Sequence, residues 1–279
     1  MRIITTKALI LAVMLGSIPP QEVQASGFTH LTGSPDIRSA SALIIDAEGN
    51  VIYGKDVDAV RPIASITKLM TAMVILDSGI DLEEKITVTK EDRDLVQLTG
   101  SRLEYGATLS RRQMILLAIM SSENRAATAL GRNWPGGLTQ FVAQMNKKAA
   151  QLKMTQSHFA DPAGLRVENT STASDLAKMV IAAYDYPLIR EASTTQRLEV
   201  RPYARRGPLV YGNTNRLLKN ESWDIALSKT GYINEAGRCL VMRANIEGEA
   251  VSIVLLNSFG KLTPFGDSNR LRKWMLASN

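Results

Sequence analysis

Three short clusters in this chain hold residue types that can make and break an acyl bond. The first is Ala64-Ser65-Ile66-Thr67-Lys68, in which a serine and a lysine three residues apart share one helical face. A serine hydroxyl is a poor nucleophile until a base takes its proton, and a neutral lysine amine can do that. Burial, or a second cation nearby, lowers a lysine pKa far enough to supply the neutral form. A helix starting at Ser65 adds partial positive charge and free N–H groups beside the nucleophile. The second cluster is Ser121-Ser122-Glu123-Asn124, placed at the end of a predicted helix. Its Ser122 hydroxyl can relay a proton to a departing nitrogen, while the Asn124 amide binds a substrate carbonyl. The third is Lys229-Thr230-Gly231-Tyr232, inside a strand-like run. Lysine is unusual in a strand interior unless it lines a site; Lys229 and Thr230 can bind a carboxylate there. Gly231 would let a substrate backbone lie along the strand edge. Read singly, each cluster has a plain explanation: a capping serine with a solvated lysine, a polar helix end, an exposed edge-strand lysine. All three in one chain, separated by 57 and then 107 residues, point to a single serine-based acyl-transfer site.

The elements that must position these residues are legible in outline. Ser41 to Asp46, a tight turn at Glu48-Gly49-Asn50, and Val51 to Tyr53 read as strand, turn and strand. Apolar residues at helical spacing run from Ser65 to Ser78 and stop at Gly79. Ser110-Arg111-Arg112-Gln113 is a capping box opening a helix toward Met120, and Thr172-Ala173-Ser174-Asp175 is another opening a helix toward Tyr184. Between them Leu138 to Leu152 is amphipathic. Beyond residue 195 the texture turns strand-like: Ile225 to Tyr232, Arg238 to Ile246 and Ala250 to Asn257. A last helix covers Asn269 to Ala277, with Arg270, Arg272 and Lys273 beside Leu271, Trp274 and Leu276. It is expected to cover the sheet rather than to lie on a membrane. Strands at both ends around a helical insert predict an α+β domain in two lobes.

Composition narrows the function classes. The chain has 279 residues, 33 Lys+Arg against 27 Asp+Glu, 45% hydrophobic and 22% charged residues. Disordered, collagen-like and disulfide-scaffold classes are excluded. With one cysteine, Cys239, and two histidines, His30 and His158, there are too few ligands for ordinary thiolate or histidine metal centres. Cys239 reads as a small buried residue, His158 as structural, and Arg205-Arg206 as a solvated loop pair. No nucleic-acid signature accompanies the net charge of +6. Residues 1–25 have a basic start, a short apolar run from Ala8 to Leu15 and a Val23-Gln24-Ala25 end, which describes a secretory signal peptide. Residues 26–38 are expected to be a loose lead-in, and 39–279 the catalytic domain with no further C-terminal domain.

The ordered set of Ser-x-x-Lys, Ser-x-Asn and Lys-Thr-Gly resembles that of penicillin-binding proteins and class A β-lactamases. The chain resembles most the low-molecular-weight penicillin-binding proteins of the D-alanyl-D-alanine endopeptidase type, from about Ser39 to Leu276. Arg61 through Met73, Ser121 through Ala127, Asp161 through Leu165, Ser171 through Leu176 and Cys239 through Arg243 carry the likeness. The resemblance implies a five-stranded antiparallel sheet flanked by helices, with a helical subdomain. It implies Ser65 as nucleophile, Lys68 as proton acceptor, and Ser122 as the group passing the proton to the departing amine. Asn124 would hold the acyl side, Lys229 and Thr230 a carboxylate, and the Ser65 and Tyr232 N–H groups the oxyanion. The implied substrates are peptidoglycan stem peptides in the periplasm, with β-lactams as covalent inhibitors, no cofactor or metal, no nucleic acid and at most loose membrane association. Carboxypeptidase is the alternative; a β-lactamase or a silent penicillin-binding sensor fits less well. Glu168 lies where a β-lactamase has its deacylating glutamate, but its surroundings differ from that loop.

Overall fold

The three apolar runs near the C-terminus are three adjacent strands of an antiparallel sheet. The computed structural model describes Phe28 and residues 31–277, so the expected signal peptide (1–25) and His30 lie outside the described residues. In chain order, β1 (Ser41–Ile45) and β2 (Val51–Lys55) open the sheet. The short β3 (Arg61–Pro62) leads through a 3-10 turn (Ala64–Ile66) into α1 (Thr67–Asp77). β4 (Lys85–Thr87) and β5 (Thr108–Ser110) pair ahead of α2 (Arg111–Met120), α3 (Asn124–Arg132) and α4 (Gly137–Gln151). β6 (Thr170–Ser171) pairs with β3 and precedes α5 (Ala173–Tyr184) and α6 (Pro187–Thr194). A ribbon of β7 (Arg197–Val200) and β8 (Leu209–Gly212) follows. Then come β9 (Asp224–Ile233), β10 (Gly237–Ile246), β11 (Glu249–Ser258) and α7 (Thr263–Ala277). The sheet order is β2-β1-β11-β10-β9, which makes β9 an edge strand.

Strands β1, β10 and β11 are buried on both faces, which is why they read as nearly unbroken apolar runs. Leu43, Ile45, Cys239, Val241, Val254 and Leu256 face a core shared with α1, α2 and α5. Their neighbours Ala42, Ile44, Leu240, Met242, Ile253 and Leu255 face a second core closed by Leu271 and Met275 of α7. The last helix therefore covers the sheet, as expected, and begins at Thr263, six residues before the predicted start. The lead-in is tied down at its end. Ile37 is buried in the second core, and the Asp267 carboxylate accepts from the Arg38 and Ser39 N–H groups.

The capping chemistry at Ser110 is as the sequence indicates, with Ser110 and Gln113 bonded reciprocally. The box at Thr172 is only half formed. Thr172 accepts from the Asp175 N–H, but the Asp175 carboxylate turns away to Gln156, Ser157 and Lys178. Helix α6, eight residues with Leu188, Ile189 and Ala192 on its buried face, and the half-exposed β7–β8 ribbon have no counterpart in the sequence expectation. No helix among the described residues is long and apolar enough to cross a membrane.

Candidate active site

Helix α1 and the turn that feeds it carry the first two chemical groups. Ser65 lies in the 3-10 turn that feeds the helix and Lys68 in its first turn. The lysine Nζ donates to Ser65 Oγ at 2.7 Å, to Asn124 Oδ1 at 2.8 Å and to the Ala163 carbonyl. Lys68 is fully buried. Burial pushes its amine down from 10.5 to about 7, against the opposing pull of the Asp161, Glu123 and Asp94 carboxylates. A base is thus held within hydrogen-bond reach of a hydroxyl, with a proton affinity near neutrality, the condition for general-base activation of serine.

The loop 161–169 supplies the carbonyl that anchors this lysine. Its organiser is the Asp161 carboxylate, which accepts N–H bonds from Ala163, Gly164, Leu165 and Arg166 and from the Asn169 amide. So folded, the loop presents two carbonyls to one face of α1: Pro162 to the Thr71 hydroxyl at 2.7 Å and Ala163 to Lys68. Gly164 adopts φ +75° against the Ala64–Ser65 backbone, where a Cβ would lie 2.0 Å from the Ala64 oxygen. No other residue fits there. Ala64 itself has φ +48°, so the nucleophile's turn is held in a conformation that the packing around it must maintain.

Ser122 and Asn124 sit at a junction between two helices rather than on the last turn of one. Ser121 ends α2, Ser122 has φ +60°, and Asn124 begins α3 behind a Glu123 cap. The junction aims the two side chains at different lysines. Asn124 takes the Lys68 bond and donates to Thr99 Oγ1 at 2.8 Å, while Ser122 Oγ accepts from Lys229 Nζ at 2.9 Å. Thr99 is held by Asp94, whose carboxylate accepts from the Val96, Gln97 and Thr99 N–H groups and the Thr99 hydroxyl. Glu123, almost fully buried, accepts from Ser101 Oγ and the Arg125 N–H, and burial raises its pKa against those bonds.

On β9, Lys229 is also fully buried and bonds Ser122 and the Thr230 carbonyl. Burial pushes its amine well below the usual lysine value, and the Lys68 charge pushes it further. Of the two causes that could lower the Lys68 pKa, burial or a second cation, burial is the one that acts; the repulsion between the two amines falls on Lys229. The Lys229 amine is bonded to Ser122, and Thr230 lines the open cleft and bonds Thr214 Oγ1 at 2.6 Å. Gly231 serves the protein's own backbone. A Cβ there would lie 2.8 Å from the Ile63 oxygen and 3.3 Å from the Ser65 nitrogen, so glycine lets β9 close on the nucleophile's turn. Tyr232 lies exposed on the rim, its ring 3.6 Å from the Arg238 guanidinium and its hydroxyl bonded to Asn234.

Ser65, Ser122, Asn124, Thr230, Gly231 and Tyr232 line one cleft of about 720 Å³. Glu168 and His158 are exposed and lie outside its lining. Cys239 is buried against Ala236, with its thiol pushed up to about 11 by burial, which keeps it a poor nucleophile. Among the described residues no group of three or more His, Cys, Asp or Glu side chains converges as a metal site would need. The Asp161 loop, the Asp94–Thr99 loop and Thr214 were not singled out for any chemical role from sequence. Their contributions are backbone carbonyls and hydroxyls brought in from far along the chain.

Comparison with known proteins agrees with this geometry. A D-alanyl-D-alanine endopeptidase of Escherichia coli is 45% identical over 269 residues, covering 96% of this chain and 86% of that protein. One from Pseudomonas aeruginosa is 46% identical over 241 residues, covering 86% and 78%. The crystal structure of a Streptomyces DD-transpeptidase superposes with a TM-score of 0.82 at 27% identity, covering 88% of this chain and 100% of that one. The sequence profile of the peptidase S11 family, D-alanyl-D-alanine carboxypeptidases, matches residues 29–260. Profile, relatives, fold and the Ser65–Lys68 geometry agree, and the chain belongs to the D-alanyl-D-alanine carboxypeptidase family of serine peptidases.

Proposed function

We propose that this protein is a serine endopeptidase that hydrolyses D-alanyl–diaminopimelate cross-links of peptidoglycan through an acyl-enzyme on Ser65. The observation that carries the reading is the buried Lys68 amine, 2.7 Å from Ser65 Oγ, with a pKa lowered to about 7. Neutral Lys68 takes the Ser65 proton as Oγ bonds the D-alanyl carbonyl carbon. The carbonyl oxygen becomes an oxyanion held by the Ser65 and Tyr232 N–H groups, at ~3 kcal/mol per donor in comparable sites. Ser122, bonded to Lys229, relays the proton taken up by Lys68 to the departing nitrogen as the C–N bond breaks, which leaves Ser122 a hydroxyl and Lys68 neutral again. Asn124 orients the acyl side. Thr230 meets the carboxylate beside the scissile bond, and that negative charge favours the protonated form of Lys229 behind it. Water then attacks the ester as neutral Lys68 takes its proton, and Ser65 Oγ leaves with that proton passed on from Lys68. A β-lactam entering the same cleft would acylate Ser65 and block it.

The endopeptidase preference is supported by the names of the two relatives at 45% and 46% identity. Carboxypeptidase action is the second reading, favoured by the family description. We also infer export to the periplasm through residues 1–25, with at most loose membrane association and a role in cell-wall remodelling and cell shape. Purified enzyme should convert cross-linked dimer peptides to monomers much faster than it removes terminal D-alanine from monomeric pentapeptides, and penicillin should stop both. Trimming of pentapeptides with dimers left intact would replace the endopeptidase reading with the carboxypeptidase one.

A further inference from the structure

The cleft continues beyond the reacting groups, and its far wall is basic. Arg216, Lys219, Arg238 and Lys261 line it, and among the described residues no aspartate or glutamate does. They come from three places: the 3-10 turn Arg216–Lys219 ahead of β9, the start of β10, and the turn between β11 and α7. Strand alternation brings two of these places together. Lys229 and Gly231 face the helical lobe, so Thr230 and Tyr232 face the other side of the sheet. Arg238 is the ladder partner of Tyr232 and stacks on its ring. Thr230 bonds Thr214, two residues before Arg216. A peptide reacting at Ser65 and crossing the β9 edge at Thr230 therefore runs onto the basic wall.

The side chains of Arg216, Lys219 and Lys261 have no ion-pair or hydrogen-bond partner among the described residues. Elsewhere in the chain many cations are paired, including Arg111, Arg112, Arg132, Lys148 and Arg206. A cleft lined by one sign of charge concentrates ligands of the opposite sign. We propose that Arg216, Lys219, Arg238 and Lys261 form a subsite for the carboxylates of the departing strand of a cross-linked stem peptide. The proposal rests on the endopeptidase reading above and supplies its missing specificity element. When a terminal D-alanine departs, it carries one carboxylate, which Thr230 already meets. When a cross-link is cut, the departing group is a whole peptide that bears further carboxylates and continues past Thr230. Thr230 and Lys229 serve both substrates; only the basic wall distinguishes them.

The test compares two cross-linked dimers cleaved by the full chain. One has free carboxylates; the other has those of the departing strand amidated, except the one beside the scissile bond. Several partly exposed charge pairs, each worth a few-fold, predict a ~10- to 100-fold kcat/KM advantage for the free form at low salt, shrinking at high salt. In the R216Q/K219Q/K261Q variant that ratio should fall to within ~3-fold. A ratio kept at its original value in a variant with unchanged melting temperature overturns the proposal. A second arm measures binding of the released strand alone, free and amidated, to the Ser65→Ala protein. Tighter binding of the free form that disappears in the triple variant supports the subsite, and equal binding of both forms overturns it. If the unaltered enzyme cuts neither dimer, the endopeptidase reading fails, and the binding arm alone decides whether the subsite exists.

Discussion

The acid limb of the acylation rate is the most quantitative consequence of the site. Lys68 drops from 10.5 to about 7 because it is buried, about 3.5 pH units, which at ~1.4 kcal/mol each means the site disfavours its charged form by ~5 kcal/mol. At pH 7 about half of the enzyme then carries neutral Lys68, at pH 6 about a tenth and at pH 5 about a hundredth. An unshifted lysine would be neutral in only ~0.03% of molecules at pH 7. The rate of Ser65 acylation by a fluorescent penicillin, followed by rapid quench from pH 5 to 9, should rise about tenfold per pH unit below 7 and level off above it. Lys68→Arg should lose the plateau, since arginine does not deprotonate. Glu123 has a raised pKa and could in principle produce a similar limb, so Glu123→Gln separates the two groups. Removing the Glu123 charge takes away one contribution that raises the Lys68 pKa, so the limb should move to lower pH and persist. A rate that is flat from pH 5 to 9, or a limb that vanishes in Glu123→Gln, would refute Lys68 as the base.

Other substitutions probe the scaffold. Gly231→Ala places a methyl 2.8 Å from the Ile63 oxygen; it should push β9 from the Ser65 turn and slow acylation ~100-fold by misplacing one oxyanion donor, read in the same penicillin assay. Asp161→Ala removes the acceptor for four loop N–H groups and should lower both acylation rate and melting temperature, whereas Asp161→Asn, which keeps one acceptor oxygen, should do less harm. Arg132→Ala strands the buried Asp92 carboxylate, 2.8 Å away, and should cost about 3 kcal/mol in a denaturant melt while Ser65 still acylates.

Much of the site was legible in the sequence because its chemistry is carried by side chains at fixed local spacing. A serine and a lysine three apart on a helix meet by geometry alone, and 2.7 Å between Ser65 and Lys68 is the result. The pairing of Ser122 with Lys229 across 107 residues followed from recognising the set, not from any local rule. The Ala163 carbonyl that holds Lys68 was hidden for a different reason: a backbone oxygen has no residue type to read. Gly231 was visible but its neighbour was not. The space it leaves is filled by the Ile63–Ser65 backbone, which only the folded chain brings there. Strands β9, β10 and β11 were clear from their apolar runs, while α6 is only eight residues long and the β7–β8 ribbon is short and half-exposed, so neither left a run of comparable length.

The central claim is that a cross-linked peptide is cut through an ester on Ser65. Acid-quenching the enzyme during digestion of a cross-linked dimer, then mapping the adduct by mass spectrometry, tests it directly. The account predicts a mass increase equal to the cross-linked dimer less the departing strand, on the fragment containing Ser65 and absent from Ser65→Ala. An adduct on another residue, or dimer cleavage that persists in Ser65→Ala, would contradict it.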